Sequence, residues 1–347
     1  MNPASYLKHA VPSWWALAPF RQPAGKIAVL SKVWSHHARR SGYHPVAEGL
    51  GVALPARTQL IPRTLSRWMA GSRELDAAYQ IALATRIAGC DRLLVTNGDF
   101  ELDLIECIQR VSSARIYAVF HQCPSRLEQL LATRSPGLVH GAICVSRCQI
   151  PFAQPIAQPE KTWFVPLGVS DDYFTPRAPR ADRPTVVCVG FHERDFDCLR
   201  QSASLITRAV PDTAVRLVAP RAELPPELDL GDVELISGLS DEQLREEYRR
   251  AWVVLLPLKD STANNALLEG MACGTPVVVS DVGGIRDYVV PECGALCPPG
   301  DTQAHAAATI ALLLDPSGRE DAGRAARTRA QMFTWPAVRE QIRAILA

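Results

Sequence analysis

Along the 347-residue chain, short runs of valine, isoleucine and leucine alternate with amphipathic segments of helical length. Eight runs stand out: "KIAVLS" (26–31), "RLLVT" (92–96), "RIYAVFH" (115–121), "GAICVS" (141–146), "PTVVCVG" (184–190), "AVRLVA" (214–219), "WVVLLP" (252–257) and "PVVVS" (276–280). A strand apolar at every position, rather than every second one, is buried on both faces, as in a parallel sheet covered by helices. Strands that alternate with helices build right-handed β-α-β units. The pattern predicts an α/β protein with a doubly wound parallel sheet in each half. At the C-terminus, "WPAVREQIRAILA" (335–347) reads as an amphipathic helix with proline in its first turn.

Between the halves, "PRAPRADRP" (176–184) is too rich in proline for the interior of a strand or helix. It reads as a linker.

The polar exceptions to the apolar pattern collect where strands end. Run 26–31 leads into "KVWSHHARRSG", run 115–121 ends at His121, run 184–190 leads into "FHERD", run 252–257 into "LKDSTANN", and run 276–280 into "DVGG". In an open parallel sheet, ligands bind at the carboxyl ends of strands. Within "DSTANNALLEGMACGTPVVVSDVGG" (260–284), Thr262 is the expected N-cap, with Ala263, Asn264 and Asn265 in the first helical turn. Such a turn offers unpaired N–H groups and the positive end of the helix dipole to an anion. Glu269, further along, is acceptor-only when ionised and suits a diol such as a ribose.

The stretch "NNALLEGMACGTPVVVSDVGG" resembles the nucleotide-sugar signature of retaining GT-B glycosyltransferases, glycosyltransferase family 4. "WFVPLGVSDDYFTP" (163–176) is similar to that family's linker segment, "FTWPAVREQI" to its terminal crossing helix, and "SGYHPVAEGL" (41–50) stands at its first glycine loop. The resemblance implies two Rossmann-like domains, with the donor held mostly by the second and the acceptor by the first. Residue by residue, it assigns Glu269 to the nucleotide ribose, and Asn264, Asn265 and Ala266 to the donor diphosphate. It places Gly42 beside donor phosphate and acceptor, and His121 near the transferred sugar. Ser261 stands where the family's E-x7-E motif has its first glutamate. After run 184–190, "GFHERDF" replaces the usual arginine and lysine of the diphosphate clamp. Gly190 and His192 lie on that loop, and a departing diphosphate needs a fixed cation nearby, so Arg194 and Lys259 are the expected ones. The segmentation that follows is an acceptor-side domain over 1–170 (with 1–25 an extension), a linker over 171–184, a donor domain over 185–333 and a terminal helix over 334–347 returning to the first domain.

Composition narrows the partners. The formal net charge is +1, so no global field favours nucleic acid. Ten cysteines are scattered through apolar stretches without a C-x-x-C pair, as buried thiols of a reducing, cytoplasmic compartment are. No metal site and no cofactor are expected. Trp14, Trp15 and nearby basic residues leave room for peripheral membrane contact, while His36, His37, Arg39 and Arg40 lie on the first loop, where they read as a solvated basic loop or as contacts to the acceptor. The absence of G-x-G-x-x-G and of a P-loop motif argues against nicotinamide and P-loop chemistry. The expected activity is a retaining transfer from a UDP- or GDP-sugar to a saccharide, lipid or small-molecule acceptor. An epimerase of the same fold and a nucleotide-sugar-binding protein without turnover are the alternatives.

Overall fold

Each of the eight apolar runs forms a strand, and among the described residues four further strands join them. The computed structural model describes residues 27–31, 43–54 and 73–347, which divide into two compact units. One holds the described residues up to Val165 together with Arg339–Ala347; the other holds Pro166–Val338.

The sheet of the first unit contains β1 (Ile27–Leu30), β2 (Val52–Leu54), β3 (Arg92–Val95), β4 (Arg115–Phe120), β5 (Gly141–Cys144) and β6 (Thr162–Phe164), in the order β2-β1-β3-β4-β5-β6. Every pairing is parallel. Ala118 and Phe120 point to one face of the sheet, where Ile81 of α1 (Arg73–Ile87), Ile105 and Ile108 of α2 (Leu102–Val111) and Leu127 of α3 (Pro124–Leu131) complete a core.

The second unit repeats the plan with β7 (Thr185–Val189), β8 (Ala214–Val218), β9 (Val233–Ile236), β10 (Val253–Leu256), β11 (Val277–Ser280) and β12 (Gly294–Cys297), ordered β12-β11-β10-β7-β8-β9 and again wholly parallel. Its helices include α4 (Phe196–Ala209), α5 (Asp241–Arg250), α6 (Asn265–Ala272), α7 (Thr302–Leu314) and α8 (Pro316–Ala330). Side-chain oxygens of Asp195, Ser240, Asn264, Asp301 and Asp315 cap the starts of these five in turn, each accepting from a first-turn N–H.

The boundary between the units falls at 165/166, ahead of the proline- and arginine-rich stretch, which belongs to the second unit. Residues 171–184 pack onto that unit. Phe174 is fully buried edge-on to Tyr248, and Trp252 Nε1 donates to Ala181 O at 2.9 Å. Arg180 donates to Ala251 O and Gly274 O, both at 2.6 Å, so its charge meets carbonyls left over just past the ends of α5 and α6. The last helix, α9 (Trp335–Leu346), starts in the second unit and ends in the first. In the first it is fastened by Arg339 Nη1 to Pro45 O at 3.1 Å and Arg343 Nη2 to Gly49 O at 2.7 Å.

All ten cysteines are free thiols, six of them buried. Among the described residues, no helix is long and apolar enough to cross a membrane.

Candidate functional site

Two loops at the carboxyl edge of the second sheet are zipped together. The loop after β7 runs Gly190 to Asp195; the segment after β10 runs Pro257 to Asn264. Asp195 N donates to Pro257 O at 3.0 Å and Lys259 N to Glu193 O at 2.9 Å, and Arg194 and Leu258 form an antiparallel bridge. Gly190, His192, Arg194, Lys259, Ser261, Asn264, Asn265, Ala266 and Glu269 thus all lie along one edge of one unit. Gly42, His36, His37, Arg39, Arg40, Trp14 and Trp15 lie outside the described residues. His121 belongs to the first unit.

The β7 loop is built around its own arginine. Arg194 is only 8% exposed; Nε and Nη2 donate to Val189 O and Nη1 to His192 O, the first and last at 3.0 Å. A Cβ on Gly190 would lie 2.8 Å from Nη2, and Gly190 has φ +91°, so this position admits only glycine without strain. Glu193 completes the turn at φ +53°. Arg194 is therefore not an open clamp on the loop surface, as its place in the sequence suggested: its donors face backbone carbonyls, and burial pulls the guanidinium below its ordinary value, against the nearby Cys188 and Tyr248. His192 and Lys259 are exposed.

Helix α6 starts two residues later than the sequence suggested. Asn264, not Thr262, is the N-cap: its backbone is extended (φ −136°, ψ 115°) and Oδ1 accepts from Leu267 N at 3.2 Å. Asparagine is the stronger cap of the two, because its short carbonyl reaches the third residue of the helix. The helix itself supplies no acceptor for the N–H groups of Asn265 and Ala266. Ser261 closes the neighbouring turn. Its N–H donates to Asp260 Oδ1 at 2.7 Å, and its carbonyl accepts from Gly284 N at 2.9 Å. A Cβ on Gly283 (φ +50°) would stand 2.0 Å from that carbonyl, which is why "DVGG" carries glycine there.

Glu269 is 4% exposed, in a helix buried from Ala266 to Ala272. The helix lies so close to β10 that a Cβ on Gly270 would be 2.7 Å from Val254 Cγ2. Glu269 Oε2 accepts from the hydroxyl of Tyr248 at 2.9 Å.

A polar chain behind these loops was not foreseen from the sequence. His305, fully buried, meets Asp301 O at 2.7 Å through Nδ1 and Ser280 Oγ at 3.1 Å through Nε2. Because a carbonyl only accepts, Nδ1 carries the proton and Nε2 accepts from Ser280. Ser280 Oγ in turn accepts from Leu258 N at 2.8 Å, fixing the residue before Lys259. Neither Ser280 nor His305 interrupts the apolar pattern enough to signal this.

In the first unit, His121 follows β4. Its Nε2 donates to Thr96 O at 2.7 Å and its N–H to Asp99 Oδ2 at 2.7 Å, and Tyr43 packs edge-on at 4.8 Å. Burial pulls the imidazole down to about 4, so the ring is neutral at physiological pH. Asp99 is 5% exposed, and burial pushes its carboxyl up to about 7 against hydrogen bonds from the His121 and Gln122 N–H groups. Its Oδ1 has no hydrogen-bond partner. Sequence reasoning missed Asp99, although "VTNGDF" places it just past the end of β3.

A separate cavity of about 460 Å³, lined by Arg200, Ser204, Arg208, Asp301 and Thr302 among others, includes none of the site residues that the sequence suggested.

Residues 183–315, all in the second unit, match the family described as Glycosyl transferases group 1. The chain is 32% identical over 203 residues to the MMP alpha-(1->4)-mannosyltransferase of Mycolicibacterium hassiacum, covering 54% of this chain and 48% of that protein. It is 36% identical over 129 residues to the D-inositol 3-phosphate glycosyltransferase of Kineococcus radiotolerans, covering 34% of this chain and 30% of that protein. The chain thus spans about half the length of these curated relatives, or less. Among solved structures, Anabaena HepE in complex with UDP-glucose superposes with a TM-score of 0.71 at 15% identity, over 92% of this chain and 98% of that one. Sucrose-phosphate synthase from Thermosynechococcus elongatus gives 0.67 at 19% identity, over 92% and 98%. The solved structures establish the GT-B fold, and the family match is confined to residues 183–315.

Proposed function

We propose that the protein is a glycosyltransferase that takes its sugar from a nucleoside-diphosphate donor and keeps the anomeric configuration of the transferred sugar. The observation that carries this reading is the grouping of α6's first turn, Lys259 and the Glu269–Tyr248 pair on one sheet edge within residues 183–315. The Asn265 and Ala266 N–H groups and the helix dipole receive the donor diphosphate. Exposed Lys259 meets its charge directly, and Arg194 contributes a buried positive charge from beneath the loop. Glu269 takes the ribose hydroxyls.

In the reaction the bond from the sugar's anomeric carbon to the diphosphate oxygen breaks. The acceptor oxygen forms the new bond on the same face, and the acceptor's proton passes to the departing phosphate oxygen. The protein stabilises the charge that develops on the leaving group. His121, neutral and held by Thr96, is assigned to a hydroxyl on the first unit's side. UDP- and GDP-sugars are the proposed donors; UDP-glucose is bound by HepE, a structural neighbour. No resident metal or cofactor is assigned, and the acceptor is a saccharide, lipid or small molecule handled in the cytoplasm or at a membrane surface.

One observation favours a second reading, a nucleotide-sugar-binding protein without turnover: Arg194 gives three N–H donors to carbonyls, and Ser261 offers no carboxylate. Incubation with radiolabelled UDP- and GDP-sugars plus an acceptor extract separates the two. Nucleoside diphosphate release coupled to label transfer, with the product anomer read by NMR, supports transfer. Tight binding with no release supports the inert module, and an inverted product anomer overturns retention.

A further inference from the structure

The buried carboxylate of Glu269 does not stand alone, and its companion gives it a direction. A glutamate has three rotatable bonds, and a carboxylate buried without a donor costs several kcal/mol, so an ordered one needs a partner. One such partner, Tyr248, is fully buried and immobilised on several sides. Its ring packs edge-to-face with Phe174 at 6.1 Å between centroids. Its Cδ1 sits 3.5 Å from where a Cβ on Gly270 would be, so α6 is closed down onto it. Its carbonyl accepts from Thr275 Oγ1 at 2.8 Å, tying α5 to the turn between α6 and β11.

We propose that Tyr248 is the positioning residue of the nucleotide site: its hydroxyl holds Glu269 Oε2 and so sets the plane in which the carboxylate meets the two ribose hydroxyls. The inference rests on the reading of Glu269 as the ribose contact and adds to it a residue that touches no ligand. Burial, and then the charge of Glu269, hold the phenol far above its ordinary value, so it stays a donor. The positive charge of Arg194 faces the same phenol from the β7 loop. Ribose recognition therefore depends on α5 as well as on α6.

The test compares affinities for UDP and GDP with those for their 2′,3′-dideoxy counterparts, by calorimetry, in the wild type and in Tyr248→Phe. The wild type is expected to prefer the ribose form of the tighter-binding nucleotide by about tenfold or more, the worth of a hydrogen bond to a charged acceptor. In Tyr248→Phe this ratio is expected to fall below about threefold while the dideoxy affinity stays within about twofold, because the ring and its packing remain. A residue with a merely structural role would weaken both ligands alike and leave the ratio in place. A wild-type ratio near one removes the ribose reading of Glu269, and the present inference with it. A full ratio in Tyr248→Phe overturns the role of Tyr248 alone. Should Tyr248→Phe not fold, the double variant Tyr248→Phe, Glu269→Gln decides. Folding restored by loss of the carboxylate charge supports the pair, and a double variant no more stable than Tyr248→Phe assigns the hydroxyl to packing and refutes the inference.

Discussion

Glu269→Gln is the perturbation that separates binding from folding most cleanly. The carboxylate has a structural partner in Tyr248, at 2.9 Å, and a proposed ligand partner in the ribose. Truncation to alanine removes both acceptors and strands a buried tyrosine hydroxyl, a cost of about 1–3 kcal/mol to stability. Glutamine keeps the side-chain length and one carbonyl oxygen that can still accept from Tyr248, so the helix stays seated. What it loses is the charge and the second acceptor. Hydrogen bonds to a charged group contribute about 1.5–3 kcal/mol, which corresponds to roughly 10- to 150-fold in donor Kd. Titration calorimetry with UDP and GDP, paired with thermal melts, reads both quantities. The expected result is a weakened nucleotide in Glu269→Gln with a melting temperature near that of the wild type, and a drop of several degrees only in Glu269→Ala. Unchanged nucleotide affinity in both variants refutes the reasoning, because a carboxylate that meets the ribose cannot be neutralised without effect.

Three further outcomes follow from the same geometry. Gly190→Ala forces a Cβ onto Arg194 Nη2 at φ +91° and should destabilise the protein by about 1–3 kcal/mol in urea unfolding. Arg194→Lys replaces a planar fork that serves Val189 O and His192 O with a single ammonium, and should lower turnover at least about tenfold, or about 1.4 kcal/mol. Asp99→Asn should change the pH dependence of stability. The raised Asp99 carboxyl (about 7) makes stability fall as pH rises from about 4 to about 7, whereas the lowered His121 (about 4) makes it rise from about 4 to about 6.5. The two oppose each other, so unfolding free energy in Asp99→Asn should climb more steeply with pH over this window than in the wild type. A slope that stays the same, measured by denaturant titration at several pH values, contradicts the burial of a protonated Asp99.

How much of this was legible in the sequence follows from which side chains are buried on both faces. The eight strands read from continuous apolar runs are the interior strands of the two sheets, and the four that escaped are β2, β6, β9 and β12, the strand at each edge. An edge strand pairs on one side only. Accordingly "TWF" in β6 is half-buried throughout and "VELI" in β9 carries an exposed glutamate, so neither reads as apolar. The packing of the stretch 171–184 was hidden for a different reason. Proline excludes regular structure but not packing, and Arg180 binds it to the second unit through carbonyls that no local pattern reveals. The loops of the candidate site were visible as polar residues at strand ends. The donor-acceptor pairs within them were not, because Tyr248 reaches Glu269 across 21 residues, and Arg194 turns inward only because Gly190 gives it room.

A crystal structure with bound UDP-glucose or a GDP-sugar tests the central claim most directly. The account predicts the diphosphate against the N–H groups of Asn265 and Ala266 and the ribose hydroxyls within hydrogen-bond distance of Glu269. A nucleotide ordered elsewhere in the molecule, with α6 unoccupied, contradicts it.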